Sequence, residues 1–287
     1  MIDLHVHTTE SDGSTPPVRV LEQARDAGLE ALAISDHDTL AGYDATAPLA
    51  AAAGLDLVCG IELSTRWRSA GDSRGPSVHI LAYFLNGAPG AGFRQWLVEL
   101  QATRHDRNRR LVERLQSLGV AITMEEIRAF GRPLPGRPHF AKLLVEKGYV
   151  RTIEEAFKRY LGEFARAYVA RESPDSAEGI RRVLDAGGTP SLAHPKRLAK
   201  MGAAKKAQAI EGMVHAGLRA VEAYHSEHTR QDIVTYTALA KRYGLAITGG
   251  SDFHGENKPG VVLGMGSIDR IGIPSQVLEN LRASLRS

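Results

Sequence analysis

Seven short apolar or β-branched runs, most of them followed by a helical pattern, constrain this 287-residue chain more than any other feature. They cover residues 2–8, 31–37, 56–63, 77–85, 189–194, 220–225 and 246–251. Near-continuous apolar strands alternating with helices predict an α/β fold whose parallel sheet is covered by helices. Seven units suggest a closed barrel with one unit fewer than the usual eight; the pattern alone leaves an open sheet as the alternative. Between the first two runs, Thr15-Pro16-Pro17 opens a helix on which Val18, Leu21 and Ala24 recur before Gly28. The Ala-rich stretch 45–53 reads as a plain packing helix.

The alternation breaks once, after the fourth run. Residues 92–168 hold no convincing strand and predict helices: a long one over about 93–118, and two shorter ones opened by Thr123-x-x-Glu126 and Thr152-x-x-Glu155 as capping boxes. A further helix starts near Pro138, and Gly/Pro loops at 86–92 and 132–138 separate the pieces. Phe93, Trp96, Leu97 and Leu100, with Leu111, Leu115 and Leu118, form an apolar stripe. The stretch is therefore expected to be an inserted helical subdomain, with residues 1–91 and 169–287 making the barrel. It is also basic, with fifteen Lys/Arg against nine Asp/Glu, whereas the rest of the chain has 21 against 24. The whole-chain charge of +3 is thus the difference between a +6 insertion and a −3 body.

A hydrophobic share of 43% and a charged share of 24% exclude global disorder. No apolar run approaches the roughly 18–20 residues that cross a bilayer. The single cysteine, Cys59, rules out an internal disulfide and a thiolate cluster, and inside a strand it reads as a packing residue. With no signal-peptide pattern before the first strand, a cytoplasmic location is expected.

Six of the eleven histidines sit at or just beyond strand ends. His5 and His7 share one face of the first strand. Ser35-Asp36-His37-Asp38 ends the second run, Gly60-Ile61-Glu62-Leu63 the third, and His79 lies in the fourth. His194-Pro195 ends the fifth, and the seventh runs into Ser251-Asp252-Phe253-His254. A lone strand histidine is usually a hydrogen-bonded core residue. Imidazoles and carboxylates converging from five or six strands instead require a multivalent cation, since unpaired carboxylates held together would repel or take up protons. Asp36 and Asp38 are expected to orient histidines instead of binding the cation.

These motifs, together and in order, resemble the polymerase-and-histidinol-phosphatase (PHP) family of metal-dependent phosphoesterases. The resemblance covers essentially the whole chain and implies a distorted, TIM-like seven-stranded (β/α) barrel with three divalent ions. It places one ion on His5, His7, Glu62 and Asp252, a second on Asp12, His37 and His254, and a third on His79 and His194 with Glu62 bridging. Many members have histidine at the position of Asp12. A carboxylate there hardens the site, which favours manganese, with magnesium, iron or zinc as alternatives. Catalysis is then expected from a metal-bound hydroxide, with no covalent nucleophile.

Substrate choice must come from the surroundings. Arg104, Arg107, Arg109, Arg110 and Arg114 lie on the long predicted helix, where Arg104, Arg107 and Arg114 can share a face. Arg137 and His139 open another helix after Gly136, a place suited to phosphate. Lys196 follows the expected ligand His194. His225 and His228 end the sixth run and are candidates for a phosphate contact or a leaving-group acid. The insertion and Tyr-His-Ser-Glu-His-Thr resemble a bacterial branch of 3′,5′-nucleoside bisphosphate phosphatases and exoribonucleases. The reading that follows is removal of the 3′-phosphate from a nucleoside 3′,5′-bisphosphate. Its alternatives are 5′-to-3′ cleavage of short 5′-phosphorylated RNA, then histidinol phosphate hydrolysis, with a non-enzymatic accessory domain least favoured. The partner is a small molecule or a short oligoribonucleotide; neither a membrane nor a protein partner is implied.

Overall fold

The computed structural model describes residues 1–68, 75–129 and 135–284; part of the predicted 132–138 loop lies outside them. Seven strands form one sheet in chain order: β1 (Ile2–Val6), β2 (Ala31–Ile34), β3 (Asp56–Arg66), β4 (Ser77–Phe84), β5 (Thr189–Leu192), β6 (Ala220–His225) and β7 (Ala246–Gly250). The helices are α1 (Pro17–Asp26), α2 (Ala41–Ala50), α3 (Ala91–Ser117), α4 (Met124–Ala129), α5 (Arg137–Glu146), α6 (Ile153–Ala156), α7 (Ser176–Asp185), α8 (Ala203–His215), α9 (Arg230–Tyr243) and α10 (Gln276–Ala283). The expected seven-stranded α/β barrel is present, and it is nearly closed.

The sheet is mixed, not all parallel as expected. β4 pairs antiparallel with both β3 and β5, while the other ladders are parallel. Ten residues separate β3 from β4, too few for the crossover that a parallel return needs. The reversal matters for the site. The N-terminal end of β4 lies beside the C-terminal ends of its neighbours, so His79, near the start of β4, pairs with Ser64 near the end of β3.

β7 meets β1 to complete the ring. Asp252 N–H donates to His5 O at 2.8 Å, and His7 N–H donates to Phe253 O at 2.9 Å. Gly250 makes this approach possible: a Cβ there would lie 2.1 Å from the Cβ of His5. The seam is locked by Asp3, fully buried, which accepts from Ser251 N (2.9 Å) and Oγ (2.6 Å) and from Gly264 N (2.8 Å).

α3 serves two cores. Its first turns, through Phe93, Trp96, Leu97 and Leu100, pack with the barrel residues Ile61, Ile80 and Val183. Its later turns, through Leu111, Val112 and Leu115, join Phe140, Leu144 and Leu161 in a separate apolar cluster. The predicted stripe is thus divided between two apolar clusters, one with the barrel and one with the helices that follow α3. At Thr123 the capping box forms in both directions, with Thr123 N–H donating to Glu126 Oε2 and Glu126 N–H to Thr123 Oγ1. At Thr152 only half forms, because Glu155 accepts from Arg151 N–H instead. α6 accordingly lasts one turn before a π-helical turn at Phe157–Leu161. No helix among the described residues is long and apolar enough to cross a membrane.

Replacing Gly250 with Ala should open the seam. Overpacking of this kind typically costs about 1–3 kcal/mol, and chemical denaturation should report a fall in unfolding free energy of that order, accompanied by weaker metal uptake because His5 is displaced.

Candidate metal centre

Strand ends deliver the donors. His5 lies within β1, His225 ends β6, and His7, His37, His194 and Asp252 sit one to three residues past their strands. Three residues here hold left-handed backbone unusual outside glycine: Asp38 (φ 57°), His194 (φ 28°) and Asp252 (φ 56°). Such conformations turn the chain sharply at the strand ends.

Glu62, 1% exposed, lies at the middle of the cluster. Its Oε2 is 3.4 Å from His5 Nε2, 3.2 Å from His7 Nε2 and 3.1 Å from His37 Nδ1. Its Oε1 is 2.9 Å from both His79 Nδ1 and His194 Nε2. Asp252 Oδ1 stands 3.5 Å from His5 Nε2, 3.4 Å from His7 Nε2 and 3.5 Å from His254 Nδ1. Asp12 completes the group, 3.2 Å from His254 Nε2 and 3.7 Å from His37 Nε2. The nine residues expected as ligands therefore lie together around Glu62 and Asp252.

The chemistry of this donor set fits divalent cations. His5 Nε2 and His7 Nε2 face each other at 3.1 Å, and the buried His37 Nδ1 has no hydrogen-bond partner. Burial lowers the His5 pKa, but Glu222, Glu62 and Asp252 outweigh it and raise the group well above its ordinary value. Burial likewise opposes the rise of His7, which hydrogen bonds to Asp252 and Glu62 push up to about 10. Burial dominates at His37 and His194, holding them down to about 4 and about 3. Burial opposes but does not prevent the lowering of Glu62 and Asp252, which the surrounding imidazoles hold well below the usual carboxylate range. Several carboxylates and imidazoles converging in one place form a site for multivalent positive charge. Groups of three such donors recur across the cluster, including Glu62 with His79 and His194.

The comparisons with known proteins agree with this chemistry. The family model described as PHP domain matches residues 3–188. The chain belongs to the PHP family. It is similar to a 5′-3′ exoribonuclease of Haemophilus influenzae (30% identity, 88% of this chain and 89% of the other) and to a 3′,5′-nucleoside bisphosphate phosphatase of Chromobacterium violaceum (30%, 90% and 89%). A phosphoribosyl 1,2-cyclic phosphate 1,2-diphosphodiesterase of Eggerthella lenta is 33% identical over 88% of this chain and 94% of its own. Among solved structures, a putative metal-dependent phosphoesterase from Bifidobacterium adolescentis superposes with a TM-score of 0.81 at 30% identity, covering 98% of this chain and 95% of its own. This PHP protein is accordingly a phosphoesterase, a hydrolase whose clustered histidines and carboxylates suit metal binding.

The helices between β4 and β5 bring Arg104, Arg107 and Arg137 to a cavity of about 600 Å³ that also reaches His37, Glu62 and His254. Arg109 and Arg110 instead point to solvent and pair with Asp106. Arg114 donates to Arg166 O at the surface. Other expectations shift. His139 takes the Gly136 N–H on its Nδ1 at 2.9 Å, buried at the start of α5, so it shapes the helix entry and does not face the cavity. Lys196 donates to Asp232 and to Glu227 O. In the tight 3₁₀ turn Pro195–Met201 successive side chains splay apart, and Arg197 is the one that reaches Asp252 Oδ2, at 2.8 Å.

Neither sixth-strand histidine borders the cavity. His225 accepts the Glu227 N–H on Nδ1 and presents Nε2 to Asp252 Oδ2 at 3.2 Å. His228 gives its Nδ1 hydrogen to Ala223 O and packs beneath α9 against Tyr236. Asp36 accepts from Thr8 and from Ser11 Oγ, which neighbours His7 Nδ1 at 3.4 Å. Asp38 departs from expectation: it binds Arg104 (2.5 Å), Arg171 (2.8 Å) and Ser64 N–H.

Glu222 escaped the motif reading. Fully buried on β6, it sits 2.8 Å from His5 Nδ1 and accepts the His194 N–H at 2.6 Å. Burial opposes its ionisation, yet His5 and His225 lower its pKa to about 2. The available signal was a lone glutamate between Val221 and Ala223 in an apolar run. Partners of this kind fix ligand orientation, and their loss costs about 10–100-fold in metal affinity. Glu222→Gln should weaken manganese binding within that range in a chelator competition titration, and unchanged affinity would show that Glu222 does not position His5.

Proposed function

We propose that this PHP protein removes the 3′-phosphate from nucleoside 3′,5′-bisphosphates, giving the 5′-monophosphate, with three divalent ions and manganese the preferred metal. One ion would be held by His5, His7, Glu62 and Asp252, a second by Asp12, His37 and His254, and a third by His79 and His194 with Glu62 shared. The carboxylate at Asp12 is the feature that favours manganese. Bound cations supply the positive charge that lowers the pKa of water to roughly 7 and offsets the charge of a phosphoryl group.

The observation carrying this reading is a cluster of positive charge on another wall of the same cavity. Arg104, Arg107, Arg137 and Arg171 line it, whereas Asp38 is the carboxylate that Arg104 and Arg171 share. Among the described residues Arg107 makes no ion pair, and its buried Nε has no hydrogen-bond partner. Burial, then Arg104, Arg137 and Arg171, press its pKa well below the ordinary arginine value. Guanidinium groups crowded without sufficient counter-charge are relieved by a phosphate dianion, which they bind in a bidentate fork. A substrate with one phosphate among the carboxylate and imidazole donors and another among the arginines satisfies both walls. Histidinol phosphate offers the second wall an amine instead, which the arginines disfavour.

The division of labour in the chain follows. The arginines anchor the non-reacting 5′-phosphate and orient the sugar. Arg197 and Lys258, both 2.8 Å from Asp252 Oδ2, hold that carboxylate and bring positive charge to the cavity rim. Glu222 fixes His5 and the His194 backbone.

Manganese-loaded protein should hydrolyse 3′,5′-bisphosphoadenosine well and 3′-AMP poorly; equal kcat/KM for the two would overturn the two-phosphate reading. Arg107→Met should raise KM for the bisphosphate by at least about tenfold, as expected when a hydrogen bond to a charged group worth about 1.5–3 kcal/mol is lost, with kcat little changed. Asp252→Ala should abolish turnover together with metal uptake.

A further inference from the structure

The proposed substrate spans two regions that come from different parts of the chain. Its reacting phosphate would lie among donors at the strand ends, and its other phosphate among arginines carried mostly by the helices between β4 and β5. The distance between those places decides whether one molecule can reach both. Arg137, the first residue of α5, lines the same cavity as His79 and His254. Yet α5 buries Phe140, Ala141 and Leu144 in the cluster shared with the later turns of α3, and none of its residues joins the barrel clusters. Its apolar packing therefore leaves its distance from the strand ends to other contacts.

A polar contact makes the link. Lys142, about one and a half turns further along α5, donates from Nζ to Asn257 Oδ1. The other end of the same amide, Nδ2, donates to Asp12 O at 2.7 Å. With its oxygen toward an ammonium and its nitrogen toward a carbonyl, each half of the amide is matched, and turning it over would oppose both contacts. Asn257 is half-buried and itself borders the cavity.

The loop carrying Asn257 is also stitched to the loop carrying Asp12. Ser14 N–H donates to His254 O at 3.0 Å, and Ser14 Oγ accepts from Glu256 N–H at 2.7 Å. Gly255, at φ 62°, permits this approach, since a Cβ there would lie 2.3 Å from Ser14 Oγ. Asp12 and His254, 3.2 Å apart between Oδ1 and Nε2, are both expected ligands of the second ion. Asn257 thus touches the backbone of one, follows the other by three residues, and holds the helix that presents Arg137.

We propose that Asn257 is a positioning residue that sets the span between the metal-binding donors and the arginine wall. Through Nδ2 it fixes Asp12 for the second ion. Through Oδ1 and Lys142 it fixes α5 at the distance a doubly phosphorylated substrate needs. The span rests on the proposed seating of the two phosphates, whereas the hold on Asp12 rests only on the metal centre. A link that merely stabilised the fold would act on every substrate alike.

The test compares wild type with Lys142→Met, Lys142→Arg and Asn257→Ala at saturating manganese, on 3′,5′-bisphosphoadenosine and on 3′-AMP. Manganese affinity is measured separately by chelator competition. Lys142→Met should raise KM for the bisphosphate on the order of tenfold, the scale of a displaced binding group, with kcat little changed. Its kcat/KM for 3′-AMP should stay within twofold, which also shows that the variant folds, and Lys142→Arg should restore the bisphosphate KM. Manganese affinity should be unchanged in Lys142→Met and about tenfold weaker in Asn257→Ala. Equal losses on both substrates in Lys142→Met, or no change on either, would overturn the span. Unchanged manganese affinity in Asn257→Ala would overturn the hold on Asp12. A wild type with equal kcat/KM for the two substrates removes the two-phosphate reading and the span with it, while the manganese titration still decides the hold on Asp12.

Discussion

The seam between β7 and β1 is the contact on which the rest depends. His5 and His7 come from the first strand, and Asp252 and His254 follow the last. They are neighbours because Asp252 N–H reaches His5 O and His7 N–H reaches Phe253 O. Asp3 clamps this junction from within, accepting from Ser251 and Gly264. Burial raises the Asp3 pKa, and its hydrogen bonds hold that rise back. A buried carboxylate with several donors aimed at it is stable where an unpaired one would not be. The same principle, applied to Glu62 and Asp252, gives a cluster of carboxylates and imidazoles suited to cations.

Charge is organised around that cluster in two directions. Inward, Glu222 supports His5 and His194, and His225 faces Oδ2 of Asp252, which Arg197 and Lys258 reach from the cavity side. Outward, the long helix α3 spans two cores, so Arg104 and Arg107 between them are held at the cavity by packing at both ends. Asp38 ties the two regions together. It leaves β2 beside His37 and binds Arg104 and Arg171. Burial opposes its ionisation, but the two guanidinium groups hold it well below the usual carboxylate range. Positioning of the arginine wall thus depends on a residue only one position from an expected ligand.

Much of this was legible in the chain. Apolar runs with intervening helices specify an α/β sheet of seven strands, because burial on both faces and helical amphipathicity leave period signatures; closure into a barrel does not follow from them. Polar residues at the ends of those runs marked most of the donors and the family resemblance added Asp12; the structure brings all nine within reach of one another. The missed features share a cause. Glu222 sits mid-strand, where a single carboxylate looks like an edge residue until its partners are known. Arg171 and Lys258 lie on segments without motif or period, and the choice between Lys196 and Arg197 depends on the rotation of one 3₁₀ turn. His139 and His228 turned inward to backbone groups, a fate set by local hydrogen-bond geometry.

The sequence by itself determined the strand count, the helical interruption and the chemistry of the donor set, since each depends on local pattern and residue type. Tertiary structure alone decided the direction of β4, which depends on a connection too short to cross over. It also decided which cations face the cavity and that Asn257 meets both Asp12 and Lys142. Those outcomes depend on side-chain directions and on approaches between distant segments, such as Gly250 on His5 and Gly255 on Ser14, which no local pattern encodes.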